Sequence, residues 1–398
     1  MSYTYIIILF TTAVFIITSC SESTERLPPN TPSEVLNKKV SSAPYQFIDL
    51  DEAELKEIVL SDEDIIFSVI GNDSDEEPLL GDISSVVYYD DRFLIYDRAT
   101  RAVYNLNIVN NNLEGPLTRE GSGPGEYEAS YFTRITSNSK NIFLADLLNA
   151  RIHQYSFNME PETTFQKQLY TPGIIEVSNK QLLMQNPGAS GFVPEHSGQG
   201  LIAVYSIDNI DDTLSTIMPR IIPGGYQPQV YNSPAFSINH HNWIAAMYRP
   251  LPWIFLFDEN LNHMHTLILE SAIFDKMNIP EMDFFRPTEG EGFGGSNPFS
   301  SFRLMDDGDI FITMAGKLDE SDLSTDQSGV VSRVLERVLI HLSLSADGRY
   351  QIAGKYTFKH LEITEFEWGP ESMPFPTEND KDYFAHNRDY IFRFSLSN

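Results

Sequence analysis

Apolar residues in this chain come in short runs broken by polar turns, and the runs repeat. Phe93-Leu94-Ile95-Tyr96-Asp97 is followed, after four residues, by Ala102-Val103-Tyr104-Asn105-Leu106. The same figure returns as Ile142-Phe143-Leu144-Ala145-Asp146, four residues, then Arg151-Ile152-His153-Gln154-Tyr155. Each copy is a short apolar strand, an Asp-led turn and a second apolar strand. The strands carry β-branched and aromatic residues at period two, as in Trp253, Phe255 and Phe257, and no long run shows the 3.6-residue period of a helix.

The last apolar residue of each second strand marks the repeat. Leu106, Tyr155, Ile207, Phe257, Leu344 and Phe394 all precede a polar hairpin or the chain end, and four of their five intervals fall within a few residues of fifty. The longer interval, between Phe257 and Leu344, is one period plus an insertion. Turn residues follow the markers: Asn110-Asn111-Asn112, Asp258-Glu259-Asn260 and Asp347-Gly348. A constant period of about 40–50 residues built from short strands predicts a β-propeller, and six markers predict six blades. A β-sandwich pair, the competing all-β architecture, does not repeat at constant spacing. Phe394 lies near the C-terminus, so the last blade lacks an outer strand of its own. Tyr45–Leu50, or the nearby Leu55–Leu60, is expected to supply it, so that the N-terminal strand closes the ring and leaves no open edge.

Antiparallel strands running outward from the axis put the loops between strands two and three on the same side as the blade-to-blade connections. The irregular segments Gly121–Tyr127, 219–229 and Phe274–Asn297 read as connections, and 186–200, 317–332 and 369–388 as loops between strands two and three. All six belong to one face, whereas the opposite face has short turns. Long loops on one face of a rigid scaffold are the expected place for binding.

The N-terminus changes the setting. Tyr5–Thr18 is an apolar run too short to span a bilayer as a helix. It ends in Ile17-Thr18-Ser19-Cys20, which resembles the lipobox of bacterial lipoprotein signals, although Met1–Thr4 brings no Lys or Arg. Residues 1–20 are therefore read as a signal peptide, with Cys20, the single cysteine, as the lipidation site. A short uncleaved anchor is the other reading. Ser, Thr, Glu and Pro crowd residues 21–44, a composition that suits a flexible tether. The propeller then occupies 45–398. The formal net charge of −29 opposes nucleic acid or an anionic membrane surface as a partner. It describes either a solvated surface or a site for cations or a basic partner.

No metal or nucleophile motif stands out. The nine His form no His-Glu-x-x-His, Asp306-Asp307-Gly308-Asp309 lacks the spacing of a calcium loop, and no Gly-x-Ser-x-Gly is present. The Gly-rich Gly121–Tyr127 leads from strand to strand, without the following Lys-Ser/Thr of a phosphate loop, and reads as a structural turn.

Arg-Glu-Gly-Ser-Gly-Pro-Gly-Glu-Tyr (119–127), framed by the two Phe-Leu-Ile-Tyr-Asp-like strands, resembles the bacterial six-bladed β-propeller lipoprotein family, related to NHL-repeat and TolB-like propellers. The resemblance implies a six-bladed ring in the cell envelope and no established chemistry. Two functions remain open. One is a lipid-anchored binding module for an envelope protein or small ligand, with Arg119, Glu126, Tyr127, Arg249, Trp253, Arg286 and Trp368 supplying aromatic faces and charge on the loop face. The other follows six-bladed calcium-dependent lactonases and related hydrolases, whose axial metal is held by Glu, Asn and Asp; the matching candidates are Asp97, Glu126, Asp146 and Asn149, with calcium as cofactor. No catalytic residue is assigned.

Overall fold

The computed structural model describes residues 42–69, 80–121, 123, 126–128, 133–167, 175–186, 200–219, 234–249, 251–276, 299–318, 334–363, 366, 373–376 and 382–396. Their strands form six sheets in a ring, a six-bladed β-propeller. Cys20, the tether up to residue 41, Arg286 and Trp368 lie outside the described residues, as does the side chain of Arg119.

Sheet one consists of Ile83–Tyr89, Arg92–Asp97, Ala102–Asn107 and Asn112–Glu114, in that order from the axis outward. Sheets two to four repeat the plan, with Ile135–Ser137, Ile175–Val177 and Pro234–Ile238 innermost. Sheet five begins at Phe299–Leu304 and sheet six at Phe375–Pro376. Tyr155, Phe257 and Leu344 end the third strand of their sheet, Leu106 and Phe394 stand one residue before its end, and Ile207 follows Gly200–Ser206 directly. Asn111, in the turn after Leu106, and Gly348, in the turn after Leu344, take the positive φ values, 52° and 79°, that the turn residues there were expected to supply. Tyr89 pairs with Arg92 across Asp90 and Asp91, whose φ values of 44° and 55° make the two-residue turn that suits strand twist.

The continuous apolar runs have a physical reason. A blade is covered on both faces by its neighbours, so successive side chains of one strand enter different cores. Ile244, Ala246 and Tyr248 pack between sheets three and four, while Ala245 and Met247, from the same strand, pack between sheets four and five. Such cores fill all six gaps. The last joins Phe67, Phe384 and Ile391 of sheet six to Ile83, Phe93 and Ile95 of sheet one.

The N-terminal strands differ from expectation in their placement. The strand beside Tyr390–Ser395 in the sixth sheet is Ile65–Ser68, antiparallel to it. Tyr45–Asp49 instead runs parallel to His263–Glu270 as a fifth strand of sheet four, and Leu55–Leu60 runs parallel to Tyr350–His360 as a fifth strand of sheet five. The chain thus passes along the rims of three successive sheets before it enters sheet one. Tyr45 and Phe47, 56% and 54% exposed, show that the earlier strand is only a cover. Phe67, 7% exposed, sits inside the core between sheets six and one.

Sheet six also begins later than Tyr356. Tyr350–His360 is the fourth strand of sheet five, paired with Val334–Leu344 across the Asp347-Gly348 turn. Consequently 369–388 is no single loop between strands two and three. It contains the inner strand Phe375–Pro376 and the second strand Asp382–His386, and the turn between strands two and three is 387–389. Most of 186–200, 219–229, Phe274–Asn297 and 317–332 lies outside the described residues; strand order makes 186–200 and 317–332 loops after second strands, and 219–229 and Phe274–Asn297 links between sheets, as Gly121–Tyr127 is.

Candidate functional site

The inner strands of all six sheets surround an axial cavity of about 1080 Å³. Its lining mixes apolar backbone-flanking residues with a small set of charged ones. Arg134 comes from sheet two, Glu176 from sheet three, Arg249 from the turn after the second strand of sheet four, Arg303 from sheet five and His386 from sheet six. Sheet one adds Ser84.

Local alternation places these side chains. Ile175 and Val177 pack in the core between sheets two and three, so the residue between them, Glu176, turns to the cavity. Phe302 and Leu304 pack between sheets four and five, and Arg303 turns to the cavity in the same way. His386 reaches the axis for another reason. The inner strand of sheet six is only two residues long and pairs with Phe384 and Tyr383, leaving the end of the second strand uncovered.

The electrostatics are those of an enclosed site. Burial raises the Glu176 carboxyl to about 7, against the opposing pull of Arg303. Burial lowers the Arg303 guanidinium, and Glu176 works in the other direction. Burial pushes His386 down to about 4; the Asn387 carbonyl pulls it up, and Arg303 and Arg134 push it further down. His386 is therefore neutral near pH 7. Arg303 donates from Nη1 to the Pro374 carbonyl at 3.0 Å and lies 4.0 Å over the ring of Phe375. Arg249 donates from Nη1 to the Ser300 carbonyl at 2.9 Å. At the opposite, short-turn mouth, His240 Nδ1 meets Asp306 at 2.7 Å and joins sheets four and five. That hydrogen bond raises the His240 pKa.

Of the residues singled out from sequence, Arg249 lines this cavity. Trp253 and Tyr127, at 5% and 0% exposure, are core residues; their strands put them between sheets, and neither offers a face to a ligand. Tyr127 packs edge-on against Tyr96 and donates its hydroxyl to the Arg101 carbonyl. Glu126 closes its own loop: Oε2 accepts from the Gly123 amide at 2.9 Å, and a Cβ at Gly121 would collide with that carboxylate. Arg119–Glu120 pairs in parallel with Glu126–Tyr127, so the Gly-rich segment is a two-stranded clasp.

The recurring Asp residues are also architectural. Asp97 accepts from the amides of Gly81, Asp82 and Thr100 at 2.9, 2.6 and 2.7 Å. Asp146 accepts from the amides of Asn149 and Glu128, from Asn149 Nδ2 at 2.9 Å and from His153. Each carboxylate caps the turn after the second strand and ties down the connection arriving from the preceding sheet. Burial raises the Asp146 pKa, but hydrogen bonds led by those from His153 and Asn149 outweigh it and hold the carboxyl below its usual range. Asp97, Glu126, Asp146 and Asn149 do not line the axial cavity. Among the described residues no group of three or more His, Cys, Asp and Glu is placed to hold a metal ion.

A ring of six sheets around a polar axial cavity defines a six-bladed β-propeller. Residues 36–293 match the family described as DUF5128, 6-bladed beta-propeller, and the chain belongs to that family. No curated protein matches the chain. Among solved structures it is similar to a Bacteroides fragilis protein described as a candidate exported protein, at 12% identity and a TM-score of 0.54, covering 89% of this chain and 100% of that one. It is also similar to a member of the duf4221 family from Bacteroides vulgatus, at 11% identity and a TM-score of 0.45, covering 79% and 92% of the two chains.

Proposed function

We propose that this chain is a lipid-anchored binding module of the cell envelope that takes a small ligand into its axial cavity from the loop-rich face. The observation that carries the proposal is the cavity itself: about 1080 Å³, with at least one polar side chain contributed by every one of the six sheets. Pockets that bind small molecules have this volume and this mixture of apolar wall and few polar groups. The anchor rests on Ile17-Thr18-Ser19-Cys20, and an envelope address agrees with the description of the Bacteroides fragilis neighbour.

Two measurements test this reading. A thermal-shift screen of the full-length chain in mild detergent, against neutral, cationic and anionic small molecules, is expected to give ligands that stabilise it. Ser84→Phe, which fills the cavity, is expected to abolish those shifts; ligands that stabilise the filled variant equally would place binding elsewhere. Labelling of cells with a radioactive fatty acid is expected to mark the protein and to fail in Cys20→Ser. A Cys20→Ser protein that keeps the label would exclude Cys20 as the lipid site.

A further inference from the structure

The first described part of the chain runs as a belt around the ring, and the belt has a rhythm. Tyr45–Asp49, Leu55–Leu60 and Ile65–Ser68 begin ten residues apart and lie on the rims of sheets four, five and six in turn. Short links, 50–54 and 61–64, carry the chain from one rim to the next. The belt is already engaged before Tyr45: the Pro44 carbonyl accepts from the Thr266 amide at 3.0 Å, and Ser42 Oγ meets His263 Nδ1 at 2.8 Å. Continued backwards at the same spacing, the preceding segment begins at residue 35, and 41–44 is a link of the same kind. The preceding rim is that of sheet three, which shares a core with sheet four.

That rim has the edge to receive it. Sheet three ends in Asn209–Pro219, 11 residues long, and among the described residues no strand pairs with its outer edge. Tyr350–His360 in sheet five has the same length, and there Leu55–Leu60 covers the edge. The outer strands of sheets one and two, Asn112–Glu114 and Pro161–Gln166, have 3 and 6 residues. An edge presents a row of unpaired amides and carbonyls, and folded chains keep such edges short or cover them. Leu214, in the middle of Asn209–Pro219, is 53% exposed.

The sequence suits the place. Residues 35–40 read Val-Leu-Asn-Lys-Lys-Val, against Leu-Lys-Glu-Ile-Val-Leu at 55–60. No proline falls between Pro32 and Pro44, so every amide in between can donate to a sheet. Lys38 and Lys39 are the residues that guard an outermost edge against further addition. The match to the propeller family begins at residue 36, ahead of Tyr45.

We infer that residues 35–40 of this chain dock on the outer edge of Asn209–Pro219, parallel to it, as Tyr45–Asp49 and Leu55–Leu60 do on sheets four and five. The belt then holds four successive sheets, and the chain between Cys20 and the propeller shortens to residues 21–34, a reach of at most about 50 Å. The inference is independent of the axial cavity and of what that cavity binds.

The test uses the full-length chain in mild detergent. With p-benzoylphenylalanine in place of Leu36, irradiation is expected to link position 36 to a peptide within 209–219, in a product of monomer mass. Hydrogen exchange gives a second reading. Leu36→Pro combined with Asn37→Pro removes two successive amides, one of which must face the sheet, and is expected to speed exchange of amides in 209–219 at least tenfold while 161–166 is unchanged. No link, a link to any other part of the chain, or a link to a second copy in a product of dimer mass overturns the inference. Equal exchange of 209–219 in parent and variant overturns it as well. The cross-link needs a single substitution outside the six cores, so it decides the question even where the proline variant does not fold.

Discussion

Replacing Glu176 by Gln isolates the one carboxyl, among the described residues, that burial holds at a disadvantage. The side chain keeps its shape and its place on the inner strand of sheet three, and loses only the ability to ionise. In the folded chain burial lifts the carboxyl from an ordinary 4.5 to about 7. Between those values the folded state holds a proton that the unfolded chain has released, so unfolding free energy falls as pH rises through the window. Below about pH 4.5 both states are protonated and the residue contributes no penalty; above about pH 7 the full penalty applies. A difference of about 2.5 pKa units at about 1.36 kcal/mol each gives a cost of about 3 kcal/mol at pH 8. Gln carries no such cost. With an unfolding entropy of about 2.1 cal/mol/K per residue, a chain of 398 residues changes its midpoint by roughly 4 °C for that energy.

The assay is thermal unfolding of parent and variant, side by side, from pH 4 to pH 8. Carboxyls held low, such as Asp82 and Asp146, lose stability as pH falls in both proteins, and their contribution cancels in the difference. The expected result is coincidence of the two curves near pH 4 and a gain of about 4 °C for Glu176→Gln at pH 8. A gap of the same size at both ends of the range would show that Glu176 is not held protonated by its surroundings, and the electrostatic account of the cavity would go with it.

The seam between sheets six and one gives a second expectation. Asp82 joins Arg98 at 2.8 Å and Arg388 at 3.2 Å, and Asp82→Ala leaves the 9%-exposed Arg98 side chain without its carboxylate, at a cost of about 3 kcal/mol in urea titration. Burial raises the Asp82 pKa, and the bonds from Arg98 and Arg388 outweigh it, so this stability is present at neutral pH and declines as pH falls below the usual carboxylate range; a variant offset that persists unchanged at pH 2.5 would contradict it. Phe67→Ala, although it lies in an N-terminal strand, is expected to cost about 3–4 kcal/mol, whereas Phe47→Ala is expected to stay within about 0.5 kcal/mol. Equal melting points for those two variants would remove Ile65–Ser68 from its role in the ring. Asp146→Ala is expected to cost about 2–4 kcal/mol, because the Asn149 and Glu128 amides lose a buried acceptor. Calorimetric titration of ligand into that variant is expected to match the parent once it is folded, since Asp146 is not in the cavity wall.

The ring was legible because its cause is repetitive. A blade covered on both faces needs an apolar second and third strand, and both runs recur with the same spacing and the same Asp turn. The recurrence of Asp97 and Asp146 was visible too, yet its meaning was not. Sequence shows that a carboxylate returns at the end of a strand; only the register shows that the amides of Gly81, Asp82 and Glu128 arrive there to consume it. Trp253 and Tyr127 had the residue types of a binding surface, but their positions within strands aim them between sheets. The placement of the three N-terminal strands was beyond periodicity, because each has one alternating face and could cover any outer edge. Glu176 and Arg303 did leave a trace: a charged residue between two apolar ones, in Ile175-Glu176-Val177 and Phe302-Arg303-Leu304. That trace becomes readable only when the strand is known to be innermost.

The short inner strand of sheet six connects these points to the site. In sheets one to five the inner strand spans three residues or more, and its side chains form the wall. In sheet six it spans two, so His386 of the second strand and the Arg303–Phe375 contact take the place of the missing wall. Arg303 belongs to sheet five, yet its hydrogen bond and ring contact are both made to sheet six. The guanidinium is thereby oriented by the sheet whose outer strand comes from the N-terminal part of the chain. Loosening Ile65–Ser68 would therefore act at the axis as well as at the rim, through Phe384, which pairs with Phe375 and packs in the same core as Phe67. On this account Phe67→Ala weakens ligand binding as well as stability, and it does so in proportion to the population in which sheet six has lost its order.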